Sequence, residues 1–146
     1  MSLDFLIHAA RRGREKAYAP YSGVKVGAAL ETEGGKIFSG CNIENASYGL
    51  SNCAERTAIY KAVSEGFTRF KRIAIVTKKP ETFYPCGACR QVMIQFSPDM
   101  EVIVANTQGK HKLFKARELL PHPFLPKELL ADETRKGTKG SLQKTG

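Results

Sequence analysis

The chain has 146 residues, with 23 Lys and Arg against 14 Asp and Glu, a formal charge of +9 at pH 7. Its 42% hydrophobic and 25% charged residues are the balance of a globular rather than a disordered chain, and the length suits one domain. The longest apolar runs, such as 102–105, fall far short of the roughly 20 residues that a membrane span needs.

Positions 3–17 set Leu3, Leu6, Ile7, Ala10 and Ala17 at helical spacing, with Pro20 and Gly23 as the stop. Val24, Val26, Ala28 and Leu30 alternate with small or charged residues as a half-buried strand, and Gly34-Gly35 turns the chain into a second strand at 36–39. The Asn-, Ser- and Gly-rich stretch 42–52 reads as loop. Positions 54–65 form a helix with Ala58, Ile59, Ala62 and Val63 on one side, stopped by Gly66. A buried strand at 72–76, a loop between Pro80 and Pro85, a helix at 87–96, a strand at 101–105 and a short helix at 116–120 follow. This alternation predicts a three-layer α/β/α sandwich, and the early hairpin makes its sheet mixed. Residues 1–131 form the domain. The stretch 132–146 has no apolar period and is expected to be a disordered basic tail.

The charge does not single out a nucleic-acid surface. Basic residues come in twos and threes, as in Arg11-Arg12, Lys71-Arg72 and Lys78-Lys79, and no block reaches five like charges. A solvated, solubilising surface explains them, and no specific nucleic-acid partner is expected. Met1-Ser2-Leu3-Asp4 puts an acid where a signal peptide has a basic region, which predicts a cytoplasmic protein.

Chemistry concentrates in the cysteines. Cys86-Gly87-Ala88-Cys89 could be a redox pair, but the preceding Thr82-Phe83-Tyr84-Pro85 reads as loop, not as the strand such a motif follows. A metal fits better. Cys53 begins one predicted helix, and Cys86 and Cys89 begin another. Free N–H groups and the helix dipole at such starts favour thiolates. Three protein sulfurs leave one position of a zinc tetrahedron open, the catalytic arrangement. Cys41, at a strand end, is expected to be a small buried core thiol rather than a fourth ligand. Glu55, two positions after Cys53, can flank the metal without joining it and move protons beside it.

Cys53-Ala54-Glu55 followed by Pro85-Cys86-Gly87-Ala88-Cys89 matches the zinc deaminase signature. The chain resembles the small homotetrameric cytidine deaminases of pyrimidine salvage. Ala17-Tyr18-Ala19-Pro20-Tyr21-Ser22, Gly40-Cys41-Asn42-Ile43-Glu44-Asn45-Ala46, Asn52–Ala58 and Cys86–Gln91 all read like that family. The resemblance implies a sheet of about five strands, one Zn²⁺ per chain, and hydrolysis of cytidine and deoxycytidine to uridine and deoxyuridine. It implies that Asn42 and Glu44 bond the ribose and that Ala54 contacts substrate. Tyr48 and Phe124 would reach a neighbouring subunit's site in a homotetramer. Arg56 would bond a ligand sulfur, restoring the acidity that three thiolates take from the metal. The family usually has Phe where this chain has Val24, a ring that packs by the pyrimidine. Val24 therefore predicts an opened pocket, either in an ordinary deaminase or in one that accepts a modified aminopyrimidine nucleoside. A polynucleotide deaminase would need room for flanking nucleotides, and a non-enzymatic zinc module would have no use for Glu55.

Overall fold

A computed structural model of the chain describes residues 2–81 and 83–129. The expected tail at 132–146 lies outside the described residues. Helix α1 (Ser2–Arg14) precedes the hairpin β1 (Val26–Thr32) and β2 (Ile37–Cys41). Helix α2 (Ala54–Ser64), strand β3 (Phe70–Thr77), helix α3 (Gly87–Phe96) and strand β4 (Glu101–Ala105) follow. Strand β5 (His111–Lys115) and the single turns α4 (Ala116–Leu119) and α5 (Pro126–Leu129) complete the order. The five strands lie in the order β2-β1-β3-β4-β5, antiparallel except for β3 and β4, which run parallel on either side of α3 in sequence.

Alternation along each central strand divides the core into two layers. Ala28, Leu30, Ile73, Ile75, Val102 and Val104 pack with Ala58 and Ile59 of α2 and Met93 of α3. Ala29, Ala74, Val76, Ile103 and Ala105 point the other way, onto Leu6, Ile7 and Ala10 of α1. The expected α/β/α sandwich with a mixed sheet is therefore present. Two glycines allow the layers to close. A Cβ on Gly27 would lie 2.1 Å from the Ala10 carbonyl oxygen, and one on Gly40 would lie 2.5 Å from the Ala58 nitrogen.

Several boundaries shift for visible reasons. The first helix stops at Arg14, not Ala17, because Tyr18 turns out to pair with the loop: its N–H donates to the Asn42 carbonyl at 3.0 Å, and its own carbonyl accepts from Glu44 N–H at 2.8 Å. Strand β1 begins at Val26, and it is buried on both faces rather than half-buried, as a strand between two helical layers must be. The 42–52 loop holds a short 3-10 turn at Tyr48–Leu50 and an Ile43–Asn52 bridge. Cys41 is only half-buried, not enclosed in the core.

Strand β5 and the turn α5 were not expected from the sequence. β5 is an edge strand, paired only with β4, and Lys112, Leu113 and Lys115 all face solvent. Lysines suit such an edge because they discourage further pairing, but they also erase the apolar period by which strands are recognised.

Candidate functional site

Helices α2 and α3 start at the same end of the sheet, and their N-termini bring the sulfurs together. Cys53 caps α2, Cys86 caps α3, and Cys89 lies in the first turn of α3. The Cys53 and Cys86 sulfurs are 3.6 Å apart, those of Cys86 and Cys89 are 3.5 Å apart, and all three lie within 4.8 Å. Four thiolates about a zinc ion at roughly 2.3 Å would sit about 3.8 Å from one another, so these spacings fit a zinc ion. Cys89 is buried, Cys53 half-buried and Cys86 exposed, which leaves the trio open on one side. No fourth Cys, His, Asp or Glu joins the group among the described residues.

The electrostatics suit a cation. Hydrogen bonding with Cys89 above all, helped by Arg56 and Cys86, brings the Cys53 thiol down to about 5 against the effect of burial. The same bond to Cys53, together with burial, pushes Cys89 up. A divalent ion lets such thiols ionise together. Arg56 Nη2 donates to Cys53 Sγ at 3.4 Å, the sulfur contact expected of it.

Glu55 lies in the first turn of α2 and is 3% exposed. Burial, and then the Cys53 charge, push its carboxyl up to about 7, against hydrogen bonds from its own backbone and Cys89 and the positive charge of Arg56. A carboxyl poised near neutral pH can both accept and return a proton.

A pocket of about 370 Å³ opens beside the sulfurs. Seven of the residues expected there line it: Val24, Asn42, Glu44, Cys53, Ala54, Glu55 and Cys86. Asn42 uses its amide to hold the start of β1. Its Oδ1 accepts from Val26 N–H and its Nδ2 donates to the Val24 carbonyl, each at 2.8 Å. One N–H and one lone pair remain for a ligand. Glu44 Oε1 accepts from the Tyr21 and Ser22 amides at 3.0 and 3.1 Å, and Oε2 accepts from Ser22 Oγ. The Ser22 hydroxyl, then its amide, hold this carboxyl below its usual range.

Tyr48 and Phe124 do not reach this pocket. Tyr48 lines an adjoining cleft that shares Ser22 and Glu44 with it. Phe124 is tied through its backbone to Gln91, whose Nε2 donates to the Phe124 carbonyl at 2.7 Å. Sequence reasoning missed Ser22, Val26, Phe83 and Tyr84 in the lining. It also missed Arg90, whose Nε donates to the Pro85 carbonyl and Nη1 to the Leu119 carbonyl, at 2.8 and 2.9 Å. Closeness to Cys86 in sequence was the one available signal for Phe83, Tyr84 and Arg90. A larger cleft, of about 500 Å³, lies at the other end of β3 beside Arg69 and Asp99, away from the metal-ligating trio.

Comparison with known proteins agrees with this geometry. Residues 2–106 match the family described as cytidine and deoxycytidylate deaminase zinc-binding region. The cytidine deaminase of Halalkalibacterium halodurans is 48% identical over 130 residues, covering 88% of this chain and 98% of that protein. That of Sporosarcina psychrophila is 45% identical, covering 88% and 96%. The solved cytidine deaminase of Burkholderia pseudomallei superposes with a TM-score of 0.82 at 54% identity, covering 85% of this chain and all of that one.

Proposed function

Because the chain belongs to the cytidine and deoxycytidylate deaminase zinc-binding family, we propose that it hydrolyses cytidine and deoxycytidine to uridine and deoxyuridine, releasing ammonia. The observation that carries this reading is Glu55, 3% exposed yet lining a ligand-sized pocket beside three sulfurs. Cys53, Cys86 and Cys89 would hold one zinc ion, which when bound supplies the Lewis acidity that makes water nucleophilic near neutral pH.

The chain's own residues do the rest. Glu55 takes a proton from the attacking water and delivers one to N3 of the base. Oxygen bonds to C4, Glu55 takes the remaining proton from the new C4 hydroxyl and passes it to the amino group, and the C4–N bond breaks, so that water enters and ammonia leaves. Arg56 draws charge from the Cys53 sulfur. Glu44 and the remaining valences of Asn42 bind the ribose hydroxyls, and Ala54 and Val24 border the base.

Residues 1–131 form the working unit in this reading, in keeping with the 130 residues over which the relatives align. It works as a homotetramer in which Tyr48 and Phe124 complete a neighbour's pocket; their exposed rings, 77% and 57% accessible in the single chain, support this. Four free cysteines suit the reducing cytoplasm, and no helix among the described residues is long and apolar enough to cross a membrane.

Zinc-loaded protein given cytidine, deoxycytidine, dCTP and single-stranded DNA in parallel tests the reading, with absorbance and ammonia followed together. Turnover of the two nucleosides is expected. Absence of nucleoside turnover, or faster release of ammonia from DNA, refutes it.

A further inference from the structure

The residue before Pro85's clamped segment gives the pocket a ring that neither the helices nor the hairpin provide. We infer that Phe83 is the aromatic wall against which the pyrimidine packs, and that it sets how large a substituent the base can carry. The inference rests on the nucleoside reading above.

Sheet register explains how Phe83 reaches the site. Val26 of β1 pairs with Thr77, the last residue of β3. The chain entering β1 and the chain leaving β3 therefore share one corner of the sheet. Val24 comes from the first and Phe83 from the second, and both line the pocket with Ala54 and Glu55. Both also pack against the core cluster that includes Cys89 and Met93, so neither is a loose surface side chain.

Phe83 and Tyr84 are the aromatic residues in the lining, and their surroundings separate them. Tyr84 is 42% exposed and engaged with β5: its ring meets Phe114 at 5.8 Å between centroids, and Lys112 Nζ lies 3.3 Å from its hydroxyl. Phe83 is half-buried against the core. Two residues further on, Arg90 clamps the Pro85 carbonyl just before the metal-ligating Cys86. The ring is thus fixed in relation to the sulfurs, as a wall must be if it is to hold a flat base in reach of Glu55. The aliphatic Val24 leaves space for a base, and Phe83 supplies the π-face that flat heteroaromatic rings favour in offset or edge-on contact.

The experiment uses full-length zinc-loaded protein as wild type, Phe83→Leu, Phe83→Val, Val24→Phe and the Val24→Phe/Phe83→Val double variant, with zinc content and Tm measured for each. Phe83→Leu keeps apolar volume and lacks the ring, so it reads the ring even if Phe83→Val folds poorly. For cytidine it should raise KM about three- to tenfold with kcat nearly unchanged. Val24→Phe alone adds a second ring and should lower kcat/KM, and the double variant should recover much of that loss. N4-methylcytidine should gain on cytidine in Phe83→Val relative to wild type. An unchanged cytidine KM in zinc-replete Phe83→Leu overturns the inference, as does a double variant whose loss is the product of the single losses. If zinc-loaded wild type turns over neither nucleoside, the deaminase reading fails separately. Calorimetry with uridine then decides on the ring, since binding unaltered by Phe83→Leu overturns the inference there too.

Discussion

At the sulfur end of the pocket Glu55 is 3% exposed and Cys89 fully buried, whereas Tyr48, in the cleft that adjoins the pocket through Ser22 and Glu44, is 77% exposed. The buried end is held by two helix starts, by Arg56 on Cys53 Sγ and by Arg90 on the Pro85 carbonyl. Chemistry that moves protons needs groups fixed to within fractions of an ångström and shielded from water, and one chain supplies that. The outer end carries aromatic surface that a single chain leaves uncovered. In the proposed homotetramer, this difference would separate what a protomer does alone from what a neighbour finishes.

The largest test is aimed at the buried end. Glu55→Gln keeps the shape of the side chain and removes the exchangeable charge. It should lower kcat by about 10²–10⁴-fold while bound zinc, measured by elemental analysis, stays at one per chain. Loss of zinc along with activity would make Glu55 part of the metal-holding framework and erase its distinction from the cysteines. Next in size, Arg56→Gln removes the donor to Cys53 Sγ. It should cost about 10–100-fold in zinc affinity or in kcat, read by competition with a chelating dye and by initial rates. An unaltered enzyme would show that the sulfurs tune the metal without help.

The outer end should respond differently. Tyr48→Ala touches no atom of the sulfur trio, so zinc content and the Tm of the protomer core should hold. KM for cytidine should rise severalfold, and specific activity should fall on dilution as subunits separate. Activity independent of both the substitution and the dilution would show that the protomer's pocket is complete, and the contrast between the two ends would lose its functional meaning.

The buried end was also the legible end. Cys53, Glu55, Cys86 and Cys89 could be read together because each sits within a turn of a helix start, and helix starts announce themselves through local periodicity; α3 and β4 have the bounds their patterns predict. Strand β5 was not legible, since its lysines mask the alternation even though it pairs with β4 across a short turn. Phe83 lay in a loop whose residues carry no period, and only the pairing of Val26 with Thr77 brings it beside Val24. That long-range register also alters what Val24 means. A missing ring predicts an open pocket, but a second segment brings a ring to the same pocket. Asn42 teaches a similar lesson: its resemblance to a ribose ligand gave no sign that its amide also secures the backbone of Val24 and Val26.

The smallest effect concerns Glu44, which stands between the two ends and lines both clefts. The Ser22 hydroxyl and amide and the Tyr21 amide lower its carboxyl from the ordinary value of 4.5. A depressed folded-state value means the ionised form is the one the fold favours. The resulting stability is present above the unfolded value and drains away as pH falls through the folded value. Thermal scans of wild type and Glu44→Gln should therefore differ most near neutral pH and converge between about pH 5 and pH 3. Solvent screens so open a carboxylate, so the gap should be modest. A gap that widens on acidification would reverse the sign and place the favoured charge elsewhere. A gap of constant size would mean that Glu44 holds Tyr21 and Ser22 through shape alone, and would leave its charge free for the ribose hydroxyls.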